Sequence, residues 1–180
     1  MAAEPSLIRP DCSRRGALRA LLCAALACAG MALTSCDRPP LPGVEKVRVK
    51  DATFWLDPAL DDATRLKGLG GRESLPPDGG MLFVFPSSFV QTFVMRDCNF
   101  DIDIAFLDDT GRVTAVHTMK MDPRRPGESD SDYERRLVKY SSNFPARFAV
   151  EVMGGTLQRL GLKPGEVVEL DVDGLKKRAR

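Results

Sequence analysis

The sequence predicts a mainly β protein: a single domain of β-sandwich, jelly-roll-like type with two or three short helices. Several short apolar stretches are rich in Val, Ile and Phe, residue types that suit strands. Gly, Pro, Asp and Asn separate these stretches at close intervals, as in sandwiches and partly closed barrels. The sequence shows no strand–helix–strand alternation of the kind that indicates a parallel α/β sheet. Residues 36–180 are enough for one domain with one core.

The strands are predicted from short apolar runs and from alternation of apolar and polar residues. In residues 101–106, Ile and Phe alternate with Asp and Ala, which predicts a strand with one buried face. Asp57-Pro58 is expected to end the first strand region, because proline cannot donate to a ladder. The predicted strands are Val44–Leu56 (one or two strands), Met81–Phe85, Phe89–Met95, residues 101–106, Val113–Met119, residues 148–152 and Val167–Val172.

The helices are predicted from capping residues and short helical spacings. Asp61-Asp62 can cap a short helix through Lys67, on which Leu66 would face inward. Asp130-Ser131 can cap a second helix, and Thr156–Leu160 makes a further helical turn.

The first 35 residues have the character of an export signal. Arginines between positions 9 and 19 precede an uncharged apolar run, Ala20–Leu33. That run is short for a bilayer span, which takes about 20 residues, and small residues follow it, as before a cleavage site. Residues 13–19 resemble a twin-arginine signal with Ala17 in place of the usual aromatic residue. Twin-arginine and general secretory export therefore both stay open.

The end of the leader predicts a lipid anchor. Leu33–Cys36 resembles the lipobox of bacterial lipoproteins, in which the cysteine is lipidated and becomes the first residue. A Pro-rich tether, residues 36–43, follows at once. The resemblance implies a protein anchored through Cys36 in the cell membrane, facing the periplasm or the cell exterior. A plain secretory signal is the alternative, and the choice between inner and outer membrane stays open.

Charge and cysteine content limit the partners. Residues 1–35 hold 4 of the 26 basic and 2 of the 25 acidic residues, which leaves 22 against 23 in the rest of the chain. A near-neutral domain argues against nucleic acid as a partner. The basic tail, residues 176–180, is expected to be a solvated or disordered end. Cys98 is the one cysteine after Cys36, so a disulfide within the mature domain is excluded and a small buried side chain is predicted.

A polar loop, Arg96–Asn99, interrupts the apolar centre of the domain. Charged side chains beside apolar strands must be paired, hydrated or functional, because an unpaired buried charge is costly. In the structural interpretation, Arg96 pairs with Asp97 or Asp103 and fixes the loop. In a second interpretation the loop binds a ligand. In a third, Asp101 and Asp103 share a strand face and act as the carboxylate pair of a hydrolase.

The sequence contains no recognisable metal or cofactor motif, and none is predicted. Residues 101–106 lack the third oxygen ligand, the glycine and the distal glutamate of a calcium loop. His117 is the sole histidine, which excludes a multi-histidine metal site. The methionines are scattered, and the glycine-rich segments match no phosphate-binding loop.

Short motifs spread from about Thr53 to Val172 occur in an order typical of one prokaryotic family. They are Lys67–Leu69, Arg72 with Leu75, Gly80–Phe85, Phe93–Asp97, Asp103–Phe106, Asp109 with Gly111, Tyr140-Ser141, Pro145-Ala146, Glu151 with Gly154-Gly155, and Gly165-Glu166. In these motifs the chain resembles the domain of unknown function 192 family. The resemblance implies a mainly β, jelly-roll-like sandwich and brings no established activity. Val94 and Asp97 stand where the family usually has Trp and Asn, which implies a different ligand here if the polar loop binds one.

Together these features predict a lipid-anchored envelope protein that acts as a binding or accessory module, with no catalytic constellation recognised. Its expected partners, besides the membrane, are a small molecule, a glycan or an envelope protein. A hydrolase of envelope polysaccharide or peptide and a structural partner of a membrane complex are the alternatives. The predicted ligand-binding residues are Met95, Arg96, Asp97, Asp103 and Tyr140.

Overall fold

The computed structural model describes residues 43–180, so the predictions for the leader and for Cys36 lie outside the described residues. The strands are β1 (Glu45–Val49), β2 (Ala52–Ala59), β3 (Gly79–Phe93), β4 (Ile102–Leu107), β5 (Val113–Met119) and β6 (Tyr140–Met153). The helices are α1 (Asp62–Lys67), α2 (Asp130–Arg136), α3 (Thr156–Leu160) and α4 (Val172–Arg178). Within residues 43–180, no helix is both long enough and apolar enough to cross a membrane.

The six strands form one mixed sheet in the order β1-β2-β3-β6-β4-β5. Neighbouring strands are antiparallel except β2 and β3, which are parallel. The long strands β3 and β6 form the centre, where they are hydrogen-bonded to each other. The prediction of a mainly β fold with few short helices is confirmed.

The far end of the β3–β6 pair bends over the rest of the sheet. Their register shifts between Val84 and Phe89 and again between Val90 and Thr92, which indicates bulges that bend the strands. Beyond the bend, the Phe93 ring lies 4.9 Å from that of Phe83 and 5.3 Å from that of Phe106. We call residues 89–93 and 140–146 the folded-over end. It supplies a second layer, and it explains why two separately predicted strands, Met81–Phe85 and Phe89–Met95, belong to one long strand.

Both faces of the central strands are buried. On one face, residues such as Leu82, Val84 and Val150 pack beneath α3, α4 and the chain between them. On the other face, Phe83 and Ile104 pack with the polar loop region and the folded-over end. All six residues of β4 are buried, so the prediction of one exposed face for residues 101–106 is wrong. The alternation seen in the sequence separates two apolar layers rather than core from solvent.

Gly80 shows how tightly the central strands approach. A Cβ atom at this position would lie 2.1 Å from the backbone oxygen of Glu151 and 2.9 Å from a methyl carbon of Leu56. Because backbone cannot yield as a flexible side chain can, only glycine fits here. The resulting contact fixes β6, and Glu151 with it, against β3.

Two boundary predictions differ from the structure. Pro58 does not end a strand: β2 runs through it to Ala59, because β1 pairs no further than Leu56 and leaves that edge free of a ladder. The predicted strand Val167–Val172 does not form. Residues 167 and 169 make two isolated bridges, and α4 begins at Val172. Residues 176–178, predicted to belong to a basic tail, form the last turn of α4.

Candidate functional site

A cavity of about 610 Å³ lies between α1, the bend of β3 and the polar loop. Its volume falls within the range of small-molecule sites, about 300–1,000 Å³. Leu66, which was expected to face inward, is 72% exposed and stands at the cavity mouth. Much of the lining is apolar and aromatic, and it includes Leu66, Leu69, Phe83, Phe85, Phe89 and Phe93.

Glu151 is the buried acid of this cavity. The sheet register places it in β6 between Met81 of β3 and Ile104 of β4, both buried and apolar. The residue is 4% exposed, and no hydrogen bond or ion pair joins its carboxyl group to the described part of the chain. Burial raises the pKa of Glu151 to about 8. The side chain is therefore a neutral carboxylic acid at neutral pH, able to donate and to accept a hydrogen bond.

Helix α1 forms one wall because its arginine anchors it to the sheet. Asp61 caps the helix by accepting a hydrogen bond from the Thr64 N–H at 2.9 Å. Arg65 donates to the Val84 carbonyl at 2.7 Å and to Asp62 at 2.6 Å, so its charge is used within the structure. Lys67 in the last turn is exposed and makes no ion pair within residues 43–180, so it is a free cation at the cavity mouth.

The polar loop forms the opposite wall and is tied to both flanking segments. Arg96 donates to both carboxylate oxygens of Glu134, from Nε at 2.5 Å and from Nη2 at 2.8 Å. The predicted pairing of Arg96 with Asp97 or Asp103 is therefore wrong. The Asp97 carbonyl accepts from the Gly71 N–H at 2.9 Å, and its own N–H donates to the Tyr133 hydroxyl at 2.9 Å. These bonds hold the loop beside the α1 segment.

The five predicted binding residues are divided among different places. Arg96 lines the cavity, whereas Met95 beside it is buried in the core. Asp97 is exposed, and the nearest Arg124 nitrogen lies 3.6 Å from its carboxylate. Asp103 is 1% exposed and accepts from the Leu157 N–H of α3 at 2.8 Å. Tyr140 is half-buried beside His117, and neither it nor Asp103 lines the cavity.

The carboxylates expected for a hydrolase are both engaged in structural contacts. Asp101 accepts from Lys120 at 2.7 Å and from the Met121 N–H at 2.9 Å. These bonds, above all the one from Lys120, hold its pKa below the usual range. Asp103 is enclosed under α3, and neither acid lines the cavity. The geometry offers this pair no shared opening for a substrate.

Glu151 was overlooked as a site residue, although the sequence carries a signal for it. Residues 148–153 form a strand in which Glu151 is the one charged side chain, at a position where its neighbours two residues away are Ala149 and Met153. A glutamate in an apolar strand can be recognised as a site residue only when both faces of that strand are known to be buried. Cys98 also lines the cavity, and burial raises the pKa of its thiol to about 11. It therefore stays a neutral thiol.

The donor set in the described residues does not suit a metal ion. No group of three or more His, Cys, Asp or Glu side chains among residues 43–180 is placed to hold one. Around the cavity the acids are Glu151 at the floor and Asp62 at the mouth, and Asp62 is engaged by Arg65. The arrangement is one suited to an organic ligand: apolar walls with a few polar groups at defined positions.

The fold and the cavity define a class: a mainly β domain whose single sheet folds over itself and encloses a buried carboxylic acid. The sequence matches the family described as "DUF192: Uncharacterized ACR, COG1430" over residues 45–170, and the chain belongs to that family. This confirms the resemblance seen in the sequence.

Two solved structures are similar to this chain. One is a Sinorhizobium meliloti 1021 protein described as a "putative transcription regulator", with 25% identity, a TM-score of 0.59, and coverage of 72% of this chain and 95% of that one. The other is a protein of unknown function from Novosphingobium aromaticivorans DSM 12444, with 26% identity, a TM-score of 0.57, and coverage of 70% and 83%. A search of curated proteins finds no match.

Proposed function

We propose that this chain is a lipid-anchored module of the cell envelope that binds a small molecule in the cavity at Glu151. The lipobox-like motif ending at Cys36 and the Pro-rich segment after it support the anchoring. The cavity supports the binding role. In this proposal the tether holds the domain near the membrane, and the protein acts by capture rather than by catalysis.

The observation that carries the binding role is the buried carboxyl group of Glu151. Removing an acid from water without a partner destabilises a fold, and buried polar groups in proteins are usually hydrogen-bonded. Asp103, the other acid in the central strands, accepts one hydrogen bond, from Leu157 to Oδ2, while its Oδ1 has no partner in the described residues. Glu151 instead lines a cavity large enough for a ligand, which can supply the missing partner.

Two other functions receive less support. The hydrolase alternative needs Asp101 and Asp103 to share an opening, and both are held in structural bonds. The Sinorhizobium relative carries a name that refers to transcription. For this chain, the balance of 22 basic and 23 acidic residues after position 35 provides no excess of positive charge for binding nucleic acid.

A thermal-shift screen of metabolites against the full chain tests the binding role. We expect at least one compound to raise the melting temperature of the wild-type protein, because a ligand that binds only the folded state stabilises it. The shift should be lost or strongly reduced in Glu151→Gln, in which the amide keeps the shape of the side chain but cannot ionise. A reduction is also expected in Arg96→Ala, which alters the rim.

Matched surface variants separate binding from general effects on folding. Phe89 and Phe144 are both 63% exposed, but only Phe89 lines the cavity. Phe89→Ala should reduce the ligand-induced shift, and Phe144→Ala should leave it unchanged. Equal shifts in all of these variants, or no shift with any compound, would contradict the proposed function.

A further inference from the structure

We propose that the cavity takes a zwitterionic small molecule, with an organic ammonium group at Glu151 and an anionic group at the mouth beside Lys67 and Arg96. This inference rests on the proposed function and adds the chemical class of the ligand. Two features carry it: the absence of a cation for Glu151 among the described residues, and the presence of a free cation at the mouth.

The inner end of the cavity suits a cation because the described residues do not supply one there. Apart from Glu151, the titratable or charged residues in the lining are Asp62, Arg65, Lys67, Arg96 and Cys98. Arg65 is bonded to Asp62, and Arg96 is bonded to Glu134 outside the lining. Cys98 remains a neutral thiol. In the neighbouring strands Glu151 is flanked by Met81 and Ile104, which carry no charge.

The aromatic lining favours a cation over other partners for the acid. Phe83, Phe85, Phe89 and Phe93 all border the cavity. The Arg65 guanidinium carbon already lies 5.8 Å from the centre of the Phe85 ring, which leaves the other three rings for a ligand cation. The faces of aromatic rings attract ammonium groups, and the attraction grows when the cation is removed from water. A ligand ammonium that enters beside these rings can form an ion pair with Glu151, a residue that is itself only 4% exposed.

The mouth has the opposite preference. Lys67 is exposed on the last turn of α1 and is unpaired within residues 43–180. The side chain of Arg96 is 36% exposed and shares its charge with Glu134. A simple amine would pass these cations at a cost, whereas an anionic group on the same ligand would be held by them. The two ends of the cavity together select a molecule that carries both charges.

The proposal has a definite pH dependence. Because Glu151 has a pKa near 8, it is protonated at neutral pH, and an ammonium ligand must displace that proton. Affinity for such a ligand should rise by about tenfold per pH unit from about pH 6 to about pH 8. A neutral ligand that only exchanges hydrogen bonds with the protonated acid would show constant affinity over that interval.

Isothermal titration calorimetry on the full chain, kept in lipid nanodiscs where it purifies with the membrane, provides the test. The probes are the ω-amino acids aminopentanoate, aminohexanoate and aminooctanoate, with aminomethylbenzoate to place a ring between the charges. Each is compared with the amine and the carboxylate of the same length. We expect one ω-amino acid to bind more tightly than both, with release of about one proton in buffers of different ionisation enthalpy.

Variants at each end of the cavity, each with a matched control, complete the design. Glu151→Gln should weaken binding by about 10- to 100-fold, as for the loss of a buried charged hydrogen bond, and should abolish the pH dependence. Lys67→Met should weaken it by about two- to fivefold, as for an exposed pair. Glu169→Gln and Lys177→Met change exposed residues that do not line the cavity and should have no effect.

The outcomes distinguish this inference from the proposed function. Amines that bind as tightly as ω-amino acids, with no loss in Lys67→Met, would overturn the assignment of the mouth. Binding of neutral amides that depends on Glu151 and stays constant with pH would overturn the ammonium assignment and leave the binding function standing. If no probe binds while the screen finds a ligand of another class, the inference fails alone. If the screen also finds nothing, both fail.

Discussion

Two buried acids on neighbouring strands have different surroundings. In the register of β4 and β6, Glu151 pairs with Ile104, the residue next to Asp103, so the two side chains point to opposite faces of the sheet. Asp103 accepts the backbone N–H of Leu157 in the first turn of α3, a position where an anion is stabilised. Glu151 has no comparable partner in residues 43–180. The fold therefore supplies one hydrogen bond to Asp103, whose Oδ1 has no partner, and none to Glu151 among these residues.

The pH dependence of stability provides a direct check on Glu151. Its pKa is raised from an ordinary value of 4.5 to about 8 in the folded protein, so the folded state binds the proton more tightly than the unfolded state does. The stability that the protonated side chain contributes is fully present below about pH 4.5, and it is lost as the pH rises towards 8. Glu151→Gln removes this titration. Relative to the wild type, the free energy of unfolding of Glu151→Gln should therefore increase by up to about 1.4 kcal/mol per pH unit across this interval.

Urea unfolding followed by circular dichroism between about pH 5 and pH 9 measures this difference. The control is Glu169→Gln, whose side chain is 64% exposed and pairs with Arg48, and which should follow the wild type at every pH. A constant difference between Glu151→Gln and the wild type would mean that the acid is already ionised in the folded state.

At the level of elements, the segment around α2 holds the polar loop in place. Tyr133 of this helix is fully buried, and the guanidinium carbons of Arg124 and Arg136 lie 4.3 and 5.1 Å from its ring centre. Arg136 is itself bonded to Glu128 and Asp122, so the segment is closed on itself. The Tyr133 hydroxyl accepts from the Asp97 N–H, and that bond joins the segment to the wall of the cavity.

Tyr133→Phe should isolate the contribution of that hydroxyl group. The ring and its contacts with both arginines remain, but the Asp97 N–H loses its acceptor, and the Met95 carbonyl loses the longer bond, 3.4 Å, that the hydroxyl donates. The expected loss is about 1–2 kcal/mol of stability, or a few degrees in melting temperature. Tyr140→Phe is the matched control. Within the described part of the chain, the Tyr140 hydroxyl accepts from the exposed Lys120 N–H alone, at 3.2 Å, so the loss should be smaller. Equal losses in the two variants would show that the bond to Asp97 has no special role.

Elements with local signals were predictable from the sequence, whereas those set by distant contacts were not. The helix through Lys67 follows from its capping residues, and the strand Val113–Met119 follows from a short apolar run after a turn; both are confirmed. The folded-over end depends on Phe93 reaching Phe83 and Phe106 across the sheet, a contact that no local pattern announces. The same limit applies to the site. Arg96 stood out as a charge beside apolar strands, but its partner Glu134 lies 38 residues away.

At the scale of the whole domain, a single sheet that is buried on both faces allows a short chain to form a cavity. The apolar face beneath α3 and α4 forms a closed core, while the opposite face is covered by the folded-over end and the polar loop. That second face is covered by separate loops and by the folded-over end. The cavity lies where α1 meets these two coverings. The mainly β class follows from composition and turn spacing. The cavity, in contrast, depends on how β3 and β6 bend to form the folded-over end.

The proposed lipid anchor concerns the whole chain, and Cys36 is the residue at which it can be tested. Lipidation at Cys36 would attach more than one acyl chain, and each buried methylene adds about 0.8 kcal/mol, enough for a stable hold on a bilayer. Cys36→Ser should abolish incorporation of an alkyne-labelled fatty acid and move the protein from the membrane fraction to the soluble fraction. Cys28→Ser, within the apolar run of the leader, is the matched control and should retain label and membrane association. A wild-type chain without label would contradict the anchor.

Because Cys36 lies outside the residues that form the cavity, ligand binding should survive its replacement. Loss of binding in Cys36→Ser would show that the cavity depends on the membrane.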